Sequence, residues 1–302
     1  MDKTNDYFTH VTADTTVSSV INNPAFDGFG QFIFPIKNCI DEYDPNMRIG
    51  DIDSLLPLHR NINADTTVNI INYFLDEVKS GKTIFYNFYS DAQRQDDKNK
   101  ESAGLFFFRG RPGAPFAVIC AGGGFSYVGS IHESFPYAIE LSKKGYNAFS
   151  IEYRVGVGGQ AATKDLAAAI SFIFKNAAQL EVSVNNYSVW GASAGAKMTA
   201  NIGSDGVQAY GGANVNKPGV IIMQYGNSSY TRDDPPTFAV VGENDSFSSF
   251  MKERTNNLKN LGIDTEFHIY KDVRHGFGLG IGTAAEGWIN NAVKFWEKHI
   301  LY

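Results

Sequence analysis

The chain has 302 residues, 43% of them apolar and 19% charged, with a formal net charge of −6. That length buries a large core, as one large α/β domain or two smaller ones, and the acidic balance excludes nucleic acid and anionic membrane surfaces as natural partners. The 23 Phe and 15 Tyr suit a sheet-rich core.

Residues 1–82 are rich in Asn, Asp and Thr, with scattered aromatics and prolines. The first ten residues, MDKTNDYFTH, lack the apolar stretch of a signal peptide, so the expected compartment is the cytoplasm. No apolar run approaches the length that crosses a bilayer. The phrase ADTTV occurs at 13–17 and again at 64–68, each time followed by apolar residues and Ile-Asn. Both read as helix starts capped by Asp or Thr. This N-terminal extension is expected to be either a cap over a site or a wrap on the core of a domain formed by 83–302.

From residue 83 onward strands and helices alternate. Residues 83–90 and 104–109 read as two strands joined by the charged loop DAQRQDDKNKES, a solvated hairpin tip. Residues 115–120 form a third strand, followed by AGGGF and a helix over 133–143. A strand at 146–155 and a helix at 161–178 come next. Strands are then expected at 187–190, 219–225, 237–241 and 265–270, with helices from 194, over 249–261 and over 284–300. The pattern predicts an α/β fold with a mostly parallel central sheet and helices on both faces. Of the two cysteines, Cys120 ends an apolar strand and reads as a small buried hydrophobe; a disulfide with Cys39 is not expected.

The stretch YSVWGASAGAKMTA, residues 187–200, raises the question of chemistry. A short apolar strand stops at Gly191-Ala192-Ser193-Ala194-Gly195 and resumes as a helix, the pattern of a strained nucleophile elbow. Two glycines around a serine are a weak signal alone. A serine nucleophile needs a base and a carboxylate that orients the base, and in this topology they follow in the order acid, then histidine. Gly242-Glu243-Asn244-Asp245 follows the strand at 237–241, making Asp245 the expected acid and Glu243 the runner-up. His275 lies in the loop after the strand at 265–270, beside Gly276. His10, His59, His132, His268 and His299 offer weaker placements, and no pair has metal-ligand spacing, so neither a metal nor an organic cofactor is expected. The oxyanion donors are expected from the amide of Ala194 and from Gly123 or Gly124 in the glycine loop.

GASAG, GEND and RHGFG in that order, with AGGGF upstream, resemble the α/β-hydrolase superfamily over roughly residues 83–302. The likeness is nearest to the carboxylesterase branch that includes hormone-sensitive-lipase-like and acetyl-xylan-esterase-like enzymes. Residues 145–154 and Asp165 share it. Ala121 stands where lipase-type members carry histidine, which tilts the resemblance toward acetyl-ester and sugar-ester members. It implies a serine esterase acting on small-molecule esters through Ser193, His275 and Asp245. The small, polar run NIGSDGVQAYGGANVNK at 201–217 is expected to rim a site for short acyl groups, with Tyr127, Tyr210 or Tyr230 as stacking residues.

Competing readings are a dinucleotide site at Gly156-Val157-Gly158-Gly159-Gln160-Ala161, a catalytically idle hydrolase fold that serves as a binding module, and a serine peptidase of the oligopeptidase type. The dinucleotide fingerprint wants an acidic residue at the end of the next strand, and none stands there. A loop near the site is the expected role of those glycines. The oligopeptidase reading wants a larger extra domain than residues 1–82 supply. Oligomeric state is left open.

Overall fold

A computed structural model describes residues 7–35 and 43–300; Cys39 lies outside the described residues. Eight strands form a single sheet: β1 Phe85–Tyr86, β2 Gly104–Phe108, β3 Pro115–Cys120, β4 Asn147–Glu152, β5 Ser183–Ala192, β6 Val220–Gln224, β7 Thr237–Gly242 and β8 Thr265–Tyr270. Their order across the sheet is β1-β2-β4-β3-β5-β6-β7-β8. β1 and β2 pair antiparallel, β2 and β4 pair antiparallel, and β4 to β8 run parallel. Val118 sits level with Phe149 on one side and Val189 on the other.

The central strands read as unbroken apolar runs because helices cover both faces. On one face the helix Phe135–Lys143 and the last helix, Trp288–Ile300, meet through Tyr137 and Trp288, with Trp190 of β5 beneath. On the other, Phe116 of β3 packs edge-on against Phe174 of the helix Gly158–Lys175. All five parallel strands from β3 to β8 other than β4 deliver a site loop at the same edge, their carboxyl ends, where α/β sheets bind ligands.

Several elements differ from the sequence reading. Only Phe85–Tyr86 of the expected strand 83–90 pairs with β2. The expected hairpin tip contains a helix, Asp91–Asp96, because Ser90 and Gln93 form a reciprocal capping box, and a 3-10 turn at Lys98–Ser102 follows. The helix expected at 133–143 is two, Ser130–Glu133 and Phe135–Lys143; Pro136 has no amide to continue the first. The helix at 158–175 begins three residues earlier than expected, on Gly158 itself.

The two ADTTV phrases are not equivalent. The first precedes the short helix Val17–Ile21, capped by Thr16, whereas the second is the opening turn of Ala64–Lys79, capped by Asn63. Phe74 of that longer helix lies against Phe106, Phe108 and Phe135 at ring distances of 5.3–5.5 Å. Phe29 and Phe32 stack on Phe85. The described residues of 7–82 therefore share one hydrophobic core with the sheet.

Candidate active site

β5 delivers Ser193 at φ 52° and ψ −116°, a backbone conformation that ordinary L residues avoid. Its amide is held by the Gln224 carbonyl at 2.9 Å. A Cβ on Gly191 would lie 2.2 Å from the Gly195 oxygen, and one on Gly195 would lie 2.0 Å from the Cys120 oxygen. Neither position can carry a side chain unless the backbone moves, so crowding at this turn dictates both glycines. The helix Ala194–Asp205 starts immediately after the serine, which puts the positive end of its dipole at this turn without any cap bond to the hydroxyl.

The loop after β8 folds back over this turn. His275 Nε2 lies 3.0 Å from Ser193 Oγ, and His275 Nδ1 lies 2.8 Å from Asp245 Oδ2. The Asp245 side chain is fully buried, and its other oxygen accepts the Phe247 amide at 2.9 Å. A carboxylate can only accept, so Nδ1 carries the hydrogen and Nε2 presents its lone pair to the serine hydroxyl. Tyr225 and Phe247 pack on the imidazole at 4.8 and 5.5 Å, and the His275 side chain stays 29% exposed. Glu243 is exposed, and its carboxylate accepts the Asp272 amide instead.

The glycine loop after β3 packs directly on the serine. A Cβ on Gly122 would sit 2.8 Å from Ser193 Cβ and equally 2.8 Å from Glu133 Oε2. The Gly122 amide donates to Glu133 at 2.6 Å, which removes it as an oxyanion donor. The amides of Gly123, Gly124 and Ala194 donate to no acceptor among the described residues. The loop is fixed from two sides, since Gly129 N–H donates to the Gly122 oxygen at 2.9 Å and Gly156 N–H to the Phe125 oxygen at 2.8 Å. Gly156, of the glycine run at 156–159, thus bonds to the glycine loop.

Four further polar residues surround this loop, and sequence reasoning assigned none of them a role. Glu133 is completely buried; burial alone would raise its pKa, but the His59 charge and the hydrogen bonds from His59 and Tyr225 outweigh it and hold the carboxyl at about 2. His132 is pushed down to about 4, first by burial and then by the neighbouring His59. Tyr225 adopts φ 34°, a second strained non-glycine residue at the same sheet edge. No local pattern marks His59, which enters from the N-terminal segment.

The remaining expectations fall elsewhere. Burial pushes the Cys120 thiol well above the ordinary range, in keeping with a packing residue. Tyr127 spends its hydroxyl on Leu58 and His59, and Tyr210 is buried with its hydroxyl on Asp205. Tyr230 is exposed. The run 201–217 does not rim the serine: it begins in the last turns of the helix Ala194–Asp205, about 12 Å along its axis from Ser193, and continues beyond its far end. Among the described residues no group of three or more His, Cys, Asp or Glu is placed to hold a metal ion, and no helix is long and apolar enough to cross a membrane.

Comparison with known proteins agrees with this architecture. A family model described as BD-FAE matches residues 109–217, from just after β2 to the approach to β6. No curated protein matches the chain in sequence. Among solved structures, a thermophilic esterase from the Planctomycetes species Thermogutta terrifontis with propionate bound superposes at TM-score 0.56 and 18% identity, over 65% of this chain and 89% of that one. An acetyl ester-xyloside bifunctional hydrolase from Caldicellulosiruptor lactoaceticus gives 0.55 at 21% identity, over 65% and 88%. Esterase B from Lactobacillus rhamnosis gives 0.59 at 15% identity, over 72% and 86%. These likenesses bear on backbone architecture, and with the strand order and the turn at Ser193 they establish that the chain is built on the α/β-hydrolase fold.

Proposed function

We propose that this protein is a serine esterase that cleaves carboxylic esters of small molecules by two-step acyl transfer. The observation that carries the reading is the unbroken hydrogen-bonded line from Ser193 through His275 to buried Asp245. In the first step His275 Nε2 takes the hydroxyl proton as Ser193 Oγ attacks the ester carbonyl. The amides of Ala194 and of Gly123 or Gly124 donate to the oxyanion, and Asp245 stabilises the imidazolium. His275 then protonates the departing alcohol, leaving an acyl-serine. In the second step water gives its proton to His275, attacks the acyl carbon, and Ser193 Oγ leaves with the proton returned to it.

The reading as an idle binding module fits the same fold but not the strain. Holding a serine at φ 52° costs on the order of 1–3 kcal/mol, which a purely structural turn would relieve. Ser193→Ala is expected to abolish turnover of p-nitrophenyl acetate while near-UV circular dichroism stays unchanged; full turnover in the folded variant would remove Ser193 from the site.

We place the substrates among short-chain esters, acetylated sugars included. The names of two fold relatives, one with propionate bound and one acting on acetyl esters, support this placement. Across a p-nitrophenyl ester series activity is expected to peak between acetyl and butyryl and to fall by octanoyl. A maximum at decanoyl or longer would overturn it.

A further inference from the structure

We infer that residues 58–60 of the N-terminal extension act as a strap that sets the oxyanion loop against the loop carrying His275, with the buried His59–Glu133 pair as its anchor. The inference rests on the esterase reading of Ser193.

The strap reaches the glycine loop by two routes. Leu58 N–H donates to the Tyr127 hydroxyl at 3.1 Å, and that hydroxyl lies 2.8 Å from His59 Nδ1. His59 Nε2 lies 3.1 Å from Glu133 Oε2, both side chains being almost wholly buried. A carboxyl group held at a pKa of about 2 is an acceptor at neutral pH, so Nε2 is the donor. The same Oε2 accepts the Gly122 amide at 2.6 Å. His59 also lies so close beneath the loop that a Cβ on Gly129 would come within 2.6 Å of its ring.

The strap reaches the base by two further routes. Arg60 N–H donates to the oxygen of Gly276, the residue after His275, at 2.7 Å. A Cβ on Gly276 would lie 2.5 Å from the Leu58 oxygen, so that loop and the strap are in direct backbone contact. Through Glu133 Oε1 the strap also meets the Tyr225 hydroxyl at 2.6 Å, and the oxygen of that hydroxyl accepts the Gly278 amide at 3.1 Å. The Tyr225 ring packs on His275. One short segment therefore bonds on one side to the loop that supplies oxyanion donors and on the other to the loop that supplies the base.

A buried hydrogen bond to a carboxylate is weak evidence for stability, because desolvation offsets much of its attraction. What this pair does provide is a fixed separation between two loops that share no strand. Catalysis is sensitive to that separation, since displacements near 1 Å cost on the order of a hundredfold in rate. His59 and Glu133 are thus positioning residues, acting through the loops they hold.

The experiment measures kcat and KM on p-nitrophenyl acetate for His59→Ala, His59→Gln and Tyr127→Phe beside Ser193→Ala. His59→Ala is expected to lower kcat by roughly tenfold to a hundredfold with KM within about twofold. Gln places an amide donor near the Nε2 position, so His59→Gln is expected to regain most of the loss. Tyr127→Phe keeps the ring and removes the hydroxyl between Leu58 and His59; a fall in kcat of about tenfold is expected even if His59→Ala does not fold. If His59→Ala or Tyr127→Phe folds and turns over at the wild-type kcat while Ser193→Ala is inactive, the strap is refuted and the esterase reading stands. If the wild-type protein hydrolyses no ester, both fail.

Discussion

The two ends of the chain are held in place by different means. From Gly104 onward each unit is a strand followed by a turn and usually a helix, and each apolar run is long enough to nominate its own element. The described residues of 7–82 hold one long helix, one short helix and scattered 3-10 turns, and Phe29, Phe32 and Phe74 dock on Phe85 and Phe106 of the finished sheet. The first region is organised by its pattern. The second is organised by its docking, and it shares the site because the sheet edge it covers is the edge where the loops converge. Substitutions in the first region's loops should cost turnover with the fold intact; substitutions in the second, outside the strap at 58–60, should cost the fold first.

The largest effect expected from this contrast is at the acid. Asp245→Asn leaves a side chain that no longer fixes the imidazole tautomer, so kcat is expected to fall by about 10⁴, whereas Glu243→Gln leaves it within about twofold. Thermal melting should be close to wild type for Glu243→Gln. The reverse ranking in steady-state assays would move the carboxylate role to Glu243.

Next in size is the docking of the N-terminal helix. Phe74 is fully buried among Phe106, Phe108 and Phe135. Phe74→Ala should destabilise the protein by about 3–5 kcal/mol in urea unfolding. The surviving folded fraction should label with an active-site probe as fast as wild type. Loss of labelling without loss of stability would mean that this helix acts on the chemistry directly.

A smaller effect is expected in acid. His132 titrates near 4 in the folded protein against about 6.5 when unfolded, so between those values the unfolded chain binds the extra proton and folding weakens as pH falls. Full stability lies above about pH 6.5, with a loss of up to roughly 3 kcal/mol by pH 4. Glu133, depressed to about 2, adds its own loss from about pH 4.5 downward. His132→Gln should flatten the slope between pH 6.5 and 4 in denaturant melts, and an unaltered slope would assign the acid sensitivity to another group.

The elbow was legible because two kinds of signal coincide there: an apolar strand, and glycines that crowding makes obligatory on both sides of Ser193. The places of Asp245 and His275 followed from strand order, since parallel strands end at one edge. The capping box at Ser90 and Gln93 was present in the sequence, but the charge of the surrounding run hid it. The split at Pro136 was equally visible and was overridden by the apolar residues after it. His59 left no readable trace, because its partners, Glu133 and Tyr127, lie about 70 residues away and only the folded sheet edge brings them together. Phe29 and Phe32 were unreadable for the same reason, with neither strand nor helix period around them.

The central claim is that Ser193 is a nucleophile activated by His275. Incubation of the wild-type protein with a fluorophosphonate, followed by peptide mass spectrometry, tests it most directly. The account predicts one stoichiometric adduct on the Ser193 peptide, absent in Ser193→Ala and greatly slowed in folded His275→Ala. Absence of the adduct from the folded wild-type protein, or an adduct on another residue that persists in Ser193→Ala, would contradict it.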